Sequence, residues 1–61
     1  MRIIKQYVDN GIMQKEEEIT NKVAKKLLRQ VNLEWVQLRG ATRNKPLIFQ
    51  WGLEIHLFVE K

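Results

Sequence analysis

The sequence predicts an α+β fold of order β-α-β-β, one amphipathic helix packed on a three-stranded antiparallel sheet. Three observations lead there. Residues 46–61 read P-L-I-F-Q-W-G-L-E-I-H-L-F-V-E-K, and the odd positions Leu47, Phe49, Trp51, Leu53, Ile55, Leu57 and Val59 are all apolar. Side chains alternate between the two faces of a strand, so this reads as one long strand with a fully apolar face. Upstream, Ile19, Val23, Ala24, Leu27, Leu28 and Val31 recur at helical spacing. At the amino end, R-I-I-K-Q-Y-V is rich in strand formers.

The first strand is expected over Arg2–Val8, ending at the turn residues Asp9-Asn10-Gly11. Such a turn can close a tight hairpin. The run that follows, K-E-E-E-I-T-N-K-V-A-K-K-L-L-R-Q, favours a helix from about Gln14 to Gln30 instead. Glu16, Glu17 and Glu18 would occupy its first turn and Lys25, Lys26 and Arg29 its last, which suits the helix dipole. Glu18 and Lys22 would form an i,i+4 pair. Leu33–Arg39, L-E-W-V-Q-L-R, reads as the second strand and Gly40–Lys45 as a connection. Pro46 suits a strand start. Gly52 marks a bend or bulge in the third strand, and alternation alone does not tell a bend from a hairpin.

With 61 residues the chain is expected to form one domain, 1–61, and to bury little core. A domain of this size buries only about 60% of its unfolded surface. The chain has no cysteine, so no disulfide can reinforce it. Self-association is the remaining common remedy. No stretch approaches the roughly 18 apolar residues of a membrane span. M-R-I-I-K-Q-Y does not read as a signal peptide, so a cytoplasmic protein is expected.

One helix covers one sheet face. If that is the odd face of the third strand, with Trp51 in the core, the other face exposes apolar side chains. Leu33, Trp35, Ile48, His56 and Phe58 are the expected subunit interface.

No catalytic signature stands out. The chain has no serine and no cysteine, so the usual nucleophiles are missing. Glu54 and His56, two apart on one strand face, suggest a proton-transfer pair or two metal ligands, but a catalytic zinc site normally adds a third protein ligand. No third ligand is placed by spacing, and neither a catalytic nor a metal site is assigned. Gly11, Gly40 and Gly52 are too scattered to cradle a phosphate. Glu16–Glu18 reads as a solvated helix start.

The charge is more informative. Eleven Lys and Arg oppose seven Asp and Glu. A positive excess favours anionic partners. Lys22, Lys25, Lys26 and Arg29 fall on the polar helix face, and Arg39, Arg43 and Lys45 flank or lie in the connection. These seven form the expected anionic-partner surface. Trp35 adds an outward aromatic suited to subunit packing or to stacking on a flat ligand, with Gln50 supplying amide hydrogen bonds.

Two segments carry a family likeness. V-N-L-E-W-V-Q-L after the helix, and F-Q-W-G-L-E-I-H-L-F-V-E near the carboxyl end, resemble dodecins, small β-α-β-β flavin-binding proteins that assemble as hollow dodecamers. The resemblance implies that Trp35 stacks on a flavin and Gln50 contacts its ring, in a pocket between subunits.

The residues themselves lead to a non-enzymatic, homo-oligomeric binding or regulatory module without a cofactor, of a size seen in bacterial and phage regulators. Its basic surface would engage nucleic acid or an acidic protein. The resemblance sets flavin binding beside that expectation.

Overall fold

A computed structural model describes residues 1–61, apart from the side chain of Trp51. The expected core position of that side chain therefore lies outside the described residues. The class is α+β, as the patterns indicated, but with four strands and two helices. The order is β1 (Arg2–Asp9), β2 (Ile12–Ile19), α1 (Asn21–Gln30), α2 (Trp35–Arg39), β3 (Leu47–Trp51) and β4 (Leu53–Glu60). The sheet runs β2-β1-β4-β3, with every neighbouring pair antiparallel.

Three expected elements are corrected. The Asn10-Gly11 hairpin forms: φ is 51° at Asn10 and 78° at Gly11, and positive φ at both central residues is what a type I′ turn requires. Strand β2 therefore occupies Ile12–Ile19, including residues 14–19, expected to open the helix. Its glutamates find partners across the ladder. Arg2 Nε donates to Glu18 at 3.2 Å, Gln6 Nε2 to Glu16 at 2.8 Å and the Tyr7 hydroxyl to Glu17 at 3.1 Å. A bulge follows, since Tyr7 faces Lys15 while Val8 faces Met13, leaving Gln14 as the extra residue.

The second correction is Leu33–Arg39, which is helix α2 rather than a strand. Leu38 is buried and Val36 is 68% exposed, although a strand would put both on one face. Trp35 and Leu38, three apart, both turn to the core, which is helical phasing. The third is the carboxyl-terminal run. Gly52, with φ 79°, reverses the chain and splits the run into β3 and β4.

Register explains the layers. Ile3, Ile19, Leu57, Val59, Leu47 and Phe49 share the odd face, and both helices pack there. Ala24 and Leu28 of α1 and Leu38 of α2 are buried against Ile3 and Leu57. On the other face Ile4 and Phe58 are buried without a helix above them, grouped with Ala41. Ala41 packs with both, and the Arg43 guanidinium lies over the Phe58 ring. The Ala41 carbonyl accepts from Val59 N–H at 3.3 Å, and Thr42 and Lys45 exchange backbone bonds of 3.1 and 3.0 Å. Full burial of a side chain such as Phe58 contributes about 1.5–3 kcal/mol.

Candidate anion-binding face

Helix α1 is cut to length at both ends. Thr20 is its N-cap, and its hydroxyl oxygen accepts from Val23 N–H at 3.2 Å. At the far end Asn32 turns left-handed, with φ 57°. Leu33 N–H then bonds to the Leu28 carbonyl at 2.9 Å and Asn32 N–H to that of Arg29 at 3.4 Å. This is a Schellman motif with Asn at the left-handed position and Leu33 as its apolar clasp.

Between these caps, Ala24 and Leu28 face the sheet. That phasing leaves Lys22, Lys25, Lys26 and Arg29, at i, i+3, i+4 and i+7, as one exposed stripe. The four line an open surface depression of 330 Å³. No acidic residue lies within the helix. Lys25 Nζ sits 5.1 Å from the centre of the Trp35 ring, which α2 brings alongside.

The segment 20–40 holds five basic residues against one acidic residue, Glu34. It therefore carries the whole formal charge of +4. The rest of the chain has six of each sign.

The other expected cations divide. Arg39 closes α2 and is exposed, as is Lys45. Arg43 is engaged elsewhere. Its Nε donates to Glu60 and a terminal nitrogen to Glu16, each at 2.9 Å, while the guanidinium lies 4.9 Å from the Phe58 ring centre. The two carboxylates raise its pKa, and it is held on the face away from the helices. Glu16 is lowered in turn, by the Arg43 hydrogen bond first and that of Gln6 second. One cluster escaped the sequence reading. Lys5 and Lys15 lie 4.7 and 5.8 Å from the Tyr7 ring centre, on the same sheet face as the helices. The signal was the Asn10-Gly11 hairpin, which pairs Tyr7 with Lys15.

The expected subunit interface is not one surface. Leu33 and Trp35 pack against the helix-side core. Phe58 is buried beside Ala41 and beneath Arg43, and of the expected interface only Ile48 and His56 remain accessible on the even face, with His56 partly buried. Trp35 and Gln50 are likewise on opposite sides of the sheet and do not converge within one copy. His56 Nε2 meets Glu54 Oε1 at 2.5 Å. Among the described residues no group of three His, Asp or Glu side chains could hold a metal ion, and no helix is long and apolar enough to cross a membrane.

No protein-family profile, curated protein or solved structure matches this chain.

Proposed function

We propose that the chain is a non-enzymatic binding module that grips the backbone of a nucleic acid through the stripe Lys22, Lys25, Lys26 and Arg29. The observation that carries this reading is charge segregation: the entire net charge lies in the helical segment, and four of its five cations share one exposed face. Phosphate contacts of this kind give affinity without sequence preference. Trp35 beside Lys25, and Tyr7 between Lys5 and Lys15, place aromatic rings next to ammonium groups on the same side. Aromatic rings among cations favour unpaired bases, which can stack. The flavin alternative requires Trp35 of one copy to meet Gln50 of another, since the sheet separates the two within one copy.

The test is titration of a fluorescent single-stranded oligonucleotide across a salt series, with a duplex and polyglutamate in parallel. If all four cations meet phosphates, log affinity falls with log salt at a slope of about −3, from roughly 0.7 per contact on a single strand. Replacing all four by Gln should abolish binding while leaving the helix signal intact. Polyglutamate bound as tightly as the oligonucleotide would turn the reading to an acidic protein. Absence of binding to every polyanion at low salt would remove it.

A further inference from the structure

The two outer strands of the sheet are protected very differently. β2 carries K-E-E-E at positions 15–18 and a bulge at Gln14. Charge and bulging both deter another strand from adding to an edge. β3 reads L-I-F-Q-W, with no charge and no proline inside it. Ile48 is 57% exposed and Gln50 is also exposed.

The direction of the backbone groups follows from one bond. Val59 N–H points away from β1, to the Ala41 carbonyl. Along β4 the N–H and C=O groups alternate between sides, so Leu57 and Ile55 turn theirs to β3. Their partners Leu47 and Phe49 are therefore the residues that bond β4. Ile48 and Gln50 turn their N–H and C=O groups outward.

We propose that β3 pairs antiparallel with β3 of a second copy, about a dyad at Phe49, joining two four-stranded sheets into one. In that register Ile48 exchanges both backbone bonds with Gln50 of the second copy, and Gln50 with Ile48. A second copy is the occupant for three reasons. The strand is complementary to itself in this register. No charge meets a like charge across the seam, whereas β2 against β2 brings glutamates together. The sheet and the 41–46 segment hold five basic residues against six acidic ones, so copies approach through a nearly neutral sheet with the excess positive charge kept on the helices.

The dyad is perpendicular to the sheet, so both helical layers lie on one side of the joined sheet. Two α1 stripes then face the same way. That last consequence rests on the proposed nucleic-acid contact, whereas the strand pairing does not.

The test is mass by sedimentation equilibrium over a concentration series, for the wild type, Gln50→Pro and Ile48→Lys. Proline is tolerated at an edge position whose N–H faces outward. The wild type should reach twice the chain mass, and both variants should stay at the chain mass with an unchanged far-UV spectrum. Ile48→Lys decides the matter if Gln50→Pro does not fold. A wild type at the chain mass throughout, or a folded Ile48→Lys that still pairs, overturns the proposal. Salt separates the two readings. Screening of two copies of charge +4 strengthens pairing as salt rises, whereas polyanion binding weakens. Pairing without oligonucleotide binding leaves this inference standing and removes only the other.

Discussion

The Arg43 guanidinium lies over the Phe58 ring and joins Glu16 on β2 to Glu60 on β4. One side chain thereby lids the face that has no helix. Phe58→Ala should destabilise the fold by about 3–5 kcal/mol. Arg43→Ala should destabilise it by clearly less, and the double variant by less than the sum, because the two residues are in contact. Urea unfolding of the four proteins checks this, and strict additivity would separate the pair. Arg43→Ala should leave oligonucleotide affinity unchanged.

Acid should weaken the same lid. The Glu16 carboxyl is held below its ordinary value of 4.5, chiefly by Arg43. A carboxyl with a depressed folded-state pKa favours folding above the unfolded-state value. That stabilisation disappears as pH falls through the folded-state value. Glu17, lowered chiefly by the Tyr7 hydroxyl, acts in the same direction. The difference in urea midpoint between wild type and Arg43→Ala should be constant above pH 4.5 and shrink below it. A difference that persists unchanged into strong acid would sever the link to Glu16.

The helix caps give a paired test. Thr20→Ala removes the bond to Val23 N–H and should cost about 1 kcal/mol. Asn32→Gly keeps the left-handed turn with a residue that favours it, so stability should hold or rise. Thermal melting of both variants reads the two signs. A large loss in Asn32→Gly would mean that the Asn side chain matters more than its φ.

Gly52 reverses the chain between β3 and β4 at positive φ. Alanine meets no neighbour there, so the cost is conformational alone, about 1–2 kcal/mol. Gly52→Ala should lower the melting midpoint, and Gly52→Asn should lower it less.

Much of the scaffold was legible because it rests on long patterns. Seven alternating apolar residues from Leu47 to Val59 identify the face that receives the helices, whether or not the run is divided. Ala24 and Leu28 set the phase of α1, and so the stripe Lys22–Arg29, despite a misplaced helix start. Short or competing signals are ambiguous. Asn10-Gly11 was outweighed by the run of glutamates, whose helix-like charge pattern also suits an edge strand with Arg2, Gln6 and Tyr7 opposite. Thr20 does not stand out as a cap in a sequence whose helix-like pattern begins at the glutamates before it. Five residues of α2 are too few for alternation and helical phasing to differ clearly. Arg43 looks like a free loop cation in the sequence because its partners, Glu16 and Glu60, become neighbours only once β2 and β4 flank β1.

The sheet consists of two hairpins, β1–β2 and β3–β4, each closed within a few residues, and a central seam between β1 and β4. That seam sets Arg2 opposite Glu60, so it joins opposite ends of the chain. Hairpins close locally in about 1–10 μs, whereas the seam must close a loop through everything between. The folding rate is then governed by how well the 20–40 segment shortens that search. Faster closure follows from strengthening α1 and α2, and slower closure from loosening them, at equal strand content.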